Sequence, residues 1–391
     1  MTQPTSSFNR VQIDLKALAE NYLKIAKLTK NNLMAVLKAD AYGHGIVECA
    51  KTLVEVGAND LGVLDICEAN TIRRSGIKAN IHIISGLFSA DSMAKAISSS
   101  FSIFVYSTEQ LEQLTEVAKN LDLKAQVRLK VDTGMGRLGV AWQDAIEVVK
   151  SIKLKHIDLV GLATHLATNG DEKADIQLQR FKKLQSQIAV VMPRAKRHSA
   201  LSSGGLLAYG DYSDSLSRPG LLLYGYSPFG EDCPSLSLEA KQLVEELRPV
   251  MSVKSAVIEV KKVKAGETVS YDRTFTAKKD LTMAVVPFGY AHGLSRTRSN
   301  KGCALIKGAR APLLGRVCMN LSMYNVTGHD VVAGDEVVFL GRQGQEEISA
   351  CQAGAWQRTN VYEALCLFGR LSPRYYGRFD VSVDLSVKLI I

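Results

Sequence analysis

The sequence has no hydrophobic run long enough to cross a membrane. A membrane-spanning helix needs roughly 18 or more consecutive apolar residues, and no segment of the 391 residues approaches that length. The opening segment Met1–Arg10 also lacks the basic start and apolar stretch of a secretory signal. We therefore expect a cytoplasmic protein with no membrane partner.

The cysteines lack the spacing of a metal site or a disulfide framework. They number seven, are spread along the chain, and never form a C-x-x-C pair. Zinc sites and redox motifs depend on such close pairs. We expect mostly buried cysteines in a reducing compartment, and no bound metal.

Basic residues are numerous, but they do not form a nucleic-acid-binding pattern. The chain has 48 lysines and arginines against 39 acidic residues, a formal net charge of +9. The densest short basic clusters are Arg194–Arg197 and Lys261–Lys264, and neither lies in an aromatic-basic stripe. We expect no nucleic-acid partner, although the positive charge favours small anionic ligands such as a phosphate group.

The first part of the chain, up to about residue 225, alternates β-rich runs with amphipathic helical segments such as Ile46–Val56 and Ala145–Ile152. Repeated strand–helix units with nearly continuous apolar strands predict a parallel sheet covered on both faces. About eight units of this length suit a (β/α)8 TIM-type barrel better than an open doubly wound sheet, which remains the competing fold. The predicted strands are Leu33–Leu37, Asp60–Leu64, Ile81–Ser85, Ser102–Val105, Gln126–Val131, Leu159–Ala163, His198–Leu201 and Leu221–Tyr224.

The alternation of β-rich and helical segments ends after about Pro228, where long helical crossovers become scarce. Runs of β-forming residues separated by glycine-containing turns predict a second, mostly β domain, interrupted by a helix at Ile348–Leu367. We place a linker at Gly230–Leu238 and assign residues 1–235 to the barrel and 236–391 to the second domain, with the first few residues able to pack against the latter. The predicted strands are Met251–Val260, Met283–Val286, Ala304–Ile306 and Glu336–Leu340.

A lysine directly follows the first predicted strand. In the segment A-V-L-K-A-D-A-Y-G-H-G, Lys38 lies at the carboxyl end of a predicted barrel strand, where the active sites of such barrels are found. Apolar strand residues should desolvate its ammonium and lower its pKa, as lysines that react with carbonyl groups require. A lone lysine at a strand end is more often an ordinary surface residue. The two glycines after Tyr42, which allow close backbone approach to a ligand, favour a functional role.

This segment resembles the cofactor-lysine motif of the alanine racemase family, which reads approximately V-x-K-A-[ND]-A-Y-G-H-G. The resemblance implies that Lys38 carries pyridoxal 5′-phosphate and that Tyr42 contacts the cofactor phosphate. A second block, K-V-D-T-G-M-G-R-L-G, resembles the family's K-V-D-T-G-M-x-R-x-G. It implies that Arg137 lies near the cofactor's phenolic oxygen and the substrate carboxylate, tasks that suit a planar guanidinium. Lys130 occupies a position that is often carbamylated in the family.

Three further blocks resemble cofactor-binding motifs of the family. His165, in T-H, is given a linking role, and Ser203, in L-S-S-G, would donate to the phosphate. In R-P-G-L-L-L-Y-G, the N–H groups of Gly220 and Leu221 can hold phosphate, and Arg218 would face the pyridine nitrogen. Because a guanidinium can only donate there, this arrangement favours racemisation over decarboxylation, for which the fold usually supplies a carboxylate.

The second catalytic base is expected in V-S-Y-D-R-T-F-T-A, which resembles a family motif except that Asp272 replaces a small or amide residue. Racemisation removes a proton on one face of the cofactor and returns it on the other, so the resemblance implies Tyr271 as the base opposite Lys38. In the family this tyrosine reaches into the other subunit's site. We therefore expect a homodimer in which Tyr271 completes the partner's site.

Other matches lie in the second domain. Tyr290, in P-F-G-Y-A-H-G, would line the substrate entrance, with His292 replacing the usual acidic residue. Tyr362, in T-N-V-Y-E, would contact phosphate or shape the entrance, although packing is nearly as good an interpretation. Met319, in G-R-V-C-M-N, would offer its backbone N–H to the substrate carboxylate, and Asn320 stands where the family usually has aspartate.

The expected function is therefore interconversion of L- and D-alanine on pyridoxal phosphate by Lys38 and Tyr271, supplying D-alanine for peptidoglycan. Asn320 keeps open a broad-specificity racemase, or one for serine or lysine. A more distant alternative is a non-catalytic pyridoxal-phosphate-binding protein. Tyr271 and the entire second domain argue against it, because single-barrel carriers lack both.

Overall fold

A computed structural model describes residues 8–30, 32–210, 212, 216–229 and 236–377. These residues divide into two compact units. The barrel unit comprises described residues of 18–41 and 46–248, and the β unit comprises residues 8–17, 42–45 and 249–377. The predicted linker Gly230–Leu238 lies mostly outside the described residues, and a helix, Leu238–Glu246, begins at its last position.

The described chain begins with strand β1 (Arg10–Asp14), which belongs to the β unit, followed by the helix Leu15–Leu28. The barrel unit then contains strands that pair in parallel in the order β2-β3-β4-β5-β6-β8, with the short β7 also on β6. Their bounds are β2 (Ala35–Val36), β3 (Asp60–Val63), β4 (Asn80–Ile83), β5 (Ser102–Val105), β6 (Ala125–Asp132), β7 (Val140–Ala141) and β8 (Ile157–Ala163).

Two short segments complete the ring of strands. Ser199 forms a parallel bridge to Ala163, Arg218 to Ser202, and Ser217 to Leu33 at the start of the first strand. The sheet therefore closes on itself as a (β/α)8 barrel, which confirms the predicted fold class and excludes an open sheet. Four residues from different strands meet in its interior: Met34, Phe104, Ala163 and Leu216.

Helices of the barrel unit follow the strands because each has one apolar stripe. In Ile46–Glu55 the buried residues Ile46, Cys49, Ala50 and Leu53 repeat at helical spacing. Several helices begin at a side chain that accepts backbone N–H groups, such as Asp65 and Ser107. The remaining bounds are Ile66–Arg74, Ala90–Ser98, Thr108–Asn120, Ala145–Lys150, Glu172–Val191 and Ser203–Tyr209.

Two of the eight predicted barrel strands need correction. Leu221–Tyr224 is a 3₁₀ turn, not a strand, and Gly225 ends it in the left-handed conformation with φ 90°. A run of four buried apolar residues fits a buried strand and a buried helical turn equally well, so periodicity could not decide. The segment His198–Leu201 pairs only through isolated bridges at Ser199 and Ser202 rather than as a continuous strand.

The β unit is built on largely antiparallel sheets. The larger one has the order β15-β14-β17-β9-β1-β19 with β18 on β17, and smaller ones have the orders β10-β13-β16 and β11-β12. Only the β1–β19 pair is parallel among the named strand pairs of these sheets. Strand bounds are β9 (Met251–Ala256), β10 (Glu259–Val263), β11 (Thr268–Val269), β12 (Phe275–Thr276), β13 (Leu281–Val286), β14 (Cys303–Ile306), β15 (Ala309–Pro312), β16 (Ser322–Asn325), β17 (Glu336–Gln343), β18 (Glu346–Ile348) and β19 (Arg374–Gly377).

The single helix predicted at Ile348–Leu367 is two helices, Ala350–Gln357 and Val361–Leu371. Arg358 ends the first helix with φ 58°, and the Asn360 side chain caps the second. Asn360 followed three residues later by Glu363 is a helix-start signal that marks this break in the sequence. Among the described residues, no helix is long and apolar enough to span a membrane.

Candidate active site

The turn after β2 holds Lys38 at the carboxyl end of the first barrel strand. Ala39, Asp40 and Ala41 all have φ near +55°, and Tyr42 continues the same left-handed turn. The Ala41 N–H donates to the Leu37 carbonyl at 2.7 Å. Because left-handed conformations are costly for residues with a Cβ, this geometry requires support from neighbouring contacts.

Asp40 supplies part of that support within the barrel unit. Its Oδ1 accepts the Ile46 N–H at 2.8 Å, and its own N–H donates to Glu68 at 3.0 Å. Lys38 itself is half-buried. The turn that carries Lys38 is therefore held by hydrogen bonds of Asp40 to two other segments of the barrel unit.

Tyr42–Gly45 belong to the β unit and pack against its last helix. The rings of Tyr42 and Tyr362 lie 6.0 Å apart, and Arg374 donates to the Gly43 carbonyl at 3.1 Å. Burial, followed by the proximity of Tyr362 and Cys366, raises the pKa of Tyr42, and burial raises that of Tyr362. Both phenols are therefore protonated and can donate hydrogen bonds to an anion.

Arg218 lies buried at the end of the last barrel segment, where its guanidinium forms hydrogen bonds to neutral groups. Nη1 donates to the Ser199 hydroxyl, and Nη2 donates to the Thr164 carbonyl at 2.7 Å and to the Ala200 carbonyl at 3.3 Å. Nη2 also lies 3.4 Å from His165 Nδ1. Burial lowers the pKa of Arg218 to about 10, so the guanidinium stays protonated at neutral pH.

His165 is held neutral. Burial has the largest effect, and the charges of Arg218, Lys130, Arg137 and Lys38 add to it, lowering the pKa of His165 to about 2. The neutral ring accepts from Arg218 at Nδ1, which leaves Nε2 as its N–H donor. Because these four charged side chains act on His165, all five predicted site residues lie in one region of the barrel unit.

Lys130 and Arg137 lie on either side of a loop that is held by hydrogen bonds to the Asp132 carboxylate. Asp132 accepts the N–H groups of Gly134 at 2.9 Å, Met135 at 2.8 Å and Gly136 at 2.9 Å. Lys130 has its pKa lowered strongly, by burial first and then by Arg218 and Arg137. Arg137 is exposed in the single chain. A buried amine with a strongly lowered pKa beside two guanidinium groups is therefore a marked feature of the site.

Two residues that the motifs did not reveal tie the site loops together. Gln177 donates to Thr133 Oγ1 at 3.2 Å and to the His165 carbonyl at 3.1 Å, and Arg180 donates to the Thr133 carbonyl at 2.8 Å. Both lie on the helix Glu172–Val191. Gln177 lies on the buried stripe of this helix beside Leu178 and Phe181, so helical spacing could have signalled its burial although no motif marked it.

A cluster of donors surrounds Ser203 at the start of a short helix. The Ser203 hydroxyl accepts the N–H groups of Gly220 at 3.0 Å and Leu222 at 3.4 Å, so these loops after the seventh and eighth barrel segments meet. The first N–H groups of a helix have no partner within it, which makes such a place suited to anions. In (β/α)8 barrels these same two loops commonly form a phosphate site.

The remaining predicted site residues lie in the β unit and are accessible in the single chain. Tyr271 is 66% exposed, Met319 55% and Tyr290 39%. Ser270 Oγ donates to the Arg316 carbonyl at 2.7 Å, and Asp272 forms ion pairs with Arg316 at 3.2 Å and Arg296 at 3.6 Å.

Tyr290 lines a cleft of about 430 Å³ within the β unit, together with Gly293, Ser295, Arg296, Glu363 and Leu367. His292 accepts the Gly289 N–H at 3.2 Å and packs on Phe288, whereas Asn320 is exposed. Burial lowers the pKa of His292. No group of acidic, histidine or cysteine residues within the described ranges is arranged to hold a metal ion.

Fold and site together define a two-domain (β/α)8-barrel enzyme with a lysine at the end of the first strand. A model of the alanine racemase N-terminal domain matches residues 13–228, and one of the C-terminal domain matches residues 250–376. The chain belongs to the alanine racemase family.

Relatives named alanine racemase match this chain over almost the full length. The alanine racemase of Thermodesulfovibrio yellowstonii is 34% identical over 384 residues, covering 95% of this chain and 98% of the relative. That of Desulfosudis oleivorans is 37% identical over 382 residues, covering 93% and 95%. The structure of the Bacillus anthracis alanine racemase with bound L-Ala-P superposes with a TM-score of 0.85 at 29% identity, covering 96% of each chain.

Proposed function

We propose that this chain is an alanine racemase that interconverts L- and D-alanine. The observation that carries the proposal is the grouping of Lys38, Arg218, His165, Lys130 and Arg137 in one region of the barrel unit. This region is strongly positive and suits an anionic cofactor and an amino-acid carboxylate. The relatives named above are alanine racemases, which supports the same reaction.

The residues fit pyridoxal 5′-phosphate. Lys38 would attach the cofactor, and the Ser203 hydroxyl with the N–H groups of Gly220 and Leu221 would hold its phosphate. Tyr42 and Tyr362 would add phenolic donors. When bound, pyridoxal phosphate withdraws electrons from the substrate and acidifies its α-proton.

Arg218 would control the chemistry by donating to the pyridine nitrogen. With neutral hydrogen-bond acceptors around it and a pKa that remains about 10, the guanidinium cannot take part in proton transfer at neutral pH. Arg218 would therefore leave the pyridine nitrogen of a bound cofactor unprotonated and would limit its electron withdrawal. This favours racemisation over the alternative of decarboxylation.

Lys38 and Tyr271 would move the α-proton. Tyr271 would remove it from L-alanine and Lys38 would return it on the opposite face, with the roles exchanged for D-alanine. Because Tyr271 is widely exposed in one chain, we propose a homodimer in which it completes the partner's site. Such positioned acid–base groups typically contribute about 10²–10⁴-fold each.

The substrate carboxylate would be held by Arg137 and by the Met319 N–H, with Tyr290 at the entrance. Lys130 is a candidate for carbamylation, since a lowered pKa favours the neutral form of the amine, which is the form that reacts with carbon dioxide. A carbamate there would bear negative charge beside Arg137 and orient it. A cytoplasmic location and a supply of D-alanine to peptidoglycan stay predictions from the sequence.

A chiral assay of purified protein with a panel of L-amino acids tests the function. We expect D-alanine as the dominant product, and a loss of about 10²–10⁴-fold in Tyr271→Phe. Tyr106→Phe, a partly buried tyrosine elsewhere in the barrel unit, is the matched control. Equal turnover of serine, lysine or arginine would favour the broad-specificity alternative suggested by Asn320.

Cofactor attachment is tested separately by absorption spectroscopy. Lys38→Ala should lose the visible band of lysine-bound pyridoxal phosphate while keeping its circular dichroism spectrum. A variant that retained the band would show that another residue carries the cofactor. A wild-type protein with the band but without racemisation of any amino acid would support the non-catalytic alternative.

A further inference from the structure

Arg128 is completely buried on β6 and has no hydrogen-bond partner in the part of the chain that the structure describes. Its exposed fraction is 0%, and Nε, Nη1 and Nη2 are all without an acceptor there. A guanidinium has five N–H donors, and buried charges are ordinarily paired because removing them from water is costly. These donors call for an acceptor from outside the chain.

The strand register places Arg128 in the barrel interior. Arg128 is aligned with Phe104 on β5, and its guanidinium carbon lies 5.7 Å from the centre of that ring. Phe104 packs against interior residues contributed by other strands. Side chains aligned across neighbouring strands point to the same face, so Arg128 also points inward.

Two more unpaired polar atoms share this interior face. Ser102 lies two residues before Phe104, and His82 on β4 is aligned with Ser102. Ser102 Oγ and His82 Nδ1 are both buried and have no partner among the described residues. We call Arg128, Ser102 and His82 the interior polar cluster.

The carboxylate nearest to this cluster is already engaged. Asp60 Oδ1 lies 2.7 Å from His82 Nε2, and its Oδ2 lies 2.7 Å from Arg197 Nη2. Burial lowers the pKa of Arg128 to about 9, with the positive charges of Arg197 and Arg218 adding to the effect and Asp60 opposing it. Arg128 is thus still charged at neutral pH, in surroundings with an excess of positive charge.

Arg197 connects this region to solvent. Its side chain is 46% exposed, although it pairs with the buried Asp60. It directly precedes the segment 198–202, and therefore marks the amino-terminal end of the barrel strands, opposite the end that carries Lys38. That end of the barrel lies away from the candidate active site.

We propose that the interior polar cluster binds one small monovalent inorganic anion, such as chloride, at the Arg128 guanidinium with the Ser102 hydroxyl as a further donor. A spherical halide accepts several N–H donors at once. Because His82 donates Nε2–H to Asp60, its neutral ring presents a lone pair at Nδ1 and repels the anion. The ion therefore lies on the Arg128–Ser102 side of the cluster.

Bromide tests the location directly. Holoenzyme crystals are soaked in sodium bromide, and anomalous scattering is measured for wild type and Arg128→Met. We expect one bromide peak within hydrogen-bond distance of Arg128 and Ser102 in the wild type and none there in the variant. Ordered water without bromide at this place in wild-type crystals would overturn the proposal.

Thermal denaturation tests the site in solution. At a chloride concentration about ten times the dissociation constant, the holoenzyme Tm should rise by about 2 °C above its value in sodium gluconate of equal ionic strength. The rise should grow with the logarithm of the chloride concentration above the dissociation constant, disappear in Arg128→Met, and persist in Arg73→Met. Arg73 is the matched control because it also lies over an aromatic ring, at 5.3 Å from Phe101, but donates to the Ile77 carbonyl.

A third variant keeps the test decisive if Arg128→Met does not fold. Ser102→Ala removes one donor without changing charge, and should weaken chloride affinity about 3–10-fold. An equal Tm rise in gluconate and chloride, or an unchanged chloride affinity in Ser102→Ala, would contradict the proposed site.

Discussion

At the residue scale, the position of Tyr271 depends on the strained backbone around it. Its neighbours Ser270, Asp272 and Arg273 have φ values of 68°, 58° and 49°. Such conformations persist only where surrounding contacts impose them. The two ion pairs of Asp272 and the hydrogen bond from Ser270 to Arg316 are the contacts that do so here. Asp272 is also a departure from the family motif, so this support is a particular property of the chain.

We predict that Asp272→Asn slows racemisation about 3–10-fold while barely changing stability. Exposed ion pairs contribute roughly 0–1 kcal/mol to folding, but a misplaced acid–base group lowers kcat. Steady-state kinetics should show a lower kcat with KM less affected, and Tm within about 2 °C of wild type. Asp280→Asn, which breaks the exposed pair with Lys264 at 2.8 Å, is the control. An unchanged kcat would mean that Asp272 does not position Tyr271.

Asp60 is the residue whose charge state should matter most in acid. Burial is the largest influence and alone would raise its pKa, but hydrogen bonds and charges from His82 and Arg197 outweigh burial and bring the pKa to about 2. A carboxyl group whose folded pKa lies below its unfolded value of 3.8 stabilises the fold above about pH 4. That contribution is lost as the pH falls from about 4 to about 2.

Accordingly, Asp60→Asn should lower the free energy of unfolding at pH 7 by about 1–2 kcal/mol. The difference from wild type should shrink as the pH is lowered below about 4, which urea denaturation at a series of pH values measures. The exposed Asp91, substituted by asparagine, serves as control. A difference that stayed constant down to pH 3 would rule out the proposed ionisation.

At the element scale, the glycines after Tyr42 permit a backbone contact that no other residue would allow. A Cβ on Gly369 would overlap the Gly43 carbonyl, and one on Gly43 would lie 2.8 Å from the Leu365 carbonyl. The left-handed turn and the helix Val361–Leu371 therefore meet through backbone atoms. This contact sets the spacing between Tyr42 and Tyr362.

Gly369→Ala should therefore destabilise the protein by about 1–3 kcal/mol, the usual cost of overpacking. Because the helix must move, we also expect a weaker affinity for pyridoxal phosphate. Both are measurable by thermal denaturation and by cofactor titration. Arg370→Ala, at an exposed neighbouring position, should change neither property. Wild-type behaviour of Gly369→Ala would show that the contact is not needed.

Sequence patterns predicted elements well where one face is apolar and failed where local backbone geometry decides. The barrel class, its family and strands such as Ser102–Val105 are confirmed. The prediction of a strand at Leu221–Tyr224 was wrong, because a short apolar run does not distinguish a strand from a turn of helix. The left-handed turn at Ala39–Tyr42 could not be foreseen, since alanine and aspartate ordinarily avoid it. No sequence pattern marked Arg128, and its complete burial became evident only from the structure.

At the scale of the whole molecule, the proposed dimer predicts complementation between two inactive variants. Lys38→Ala and Tyr271→Phe each remove one base from every site of a homodimer. In a mixed dimer, one site would combine the intact Lys38 of one chain with the intact Tyr271 of the other. Mixing equal amounts under subunit exchange should therefore restore about one quarter of wild-type activity.

The control is a mixture in which one chain carries both substitutions and the other is Lys38→Ala. No site in that mixture regains both bases, so no recovery is expected. If Tyr271 instead served the site of its own chain, the first mixture would remain inactive as well. Exchange between tagged chains should be verified by affinity capture in each case.

The β unit is assembled from separate stretches of chain, one of which is only residues 42–45. Those four residues carry the Y-G-H-G sequence and pack on a helix more than three hundred positions further along. A gene fragment encoding the barrel alone would therefore express this motif without its packing surface. For the same reason, exchanging barrels between relatives by a single crossover at the linker would join each motif to a foreign helix. A successful chimaera therefore needs residues 42–45 and the helix Val361–Leu371 from the same parent.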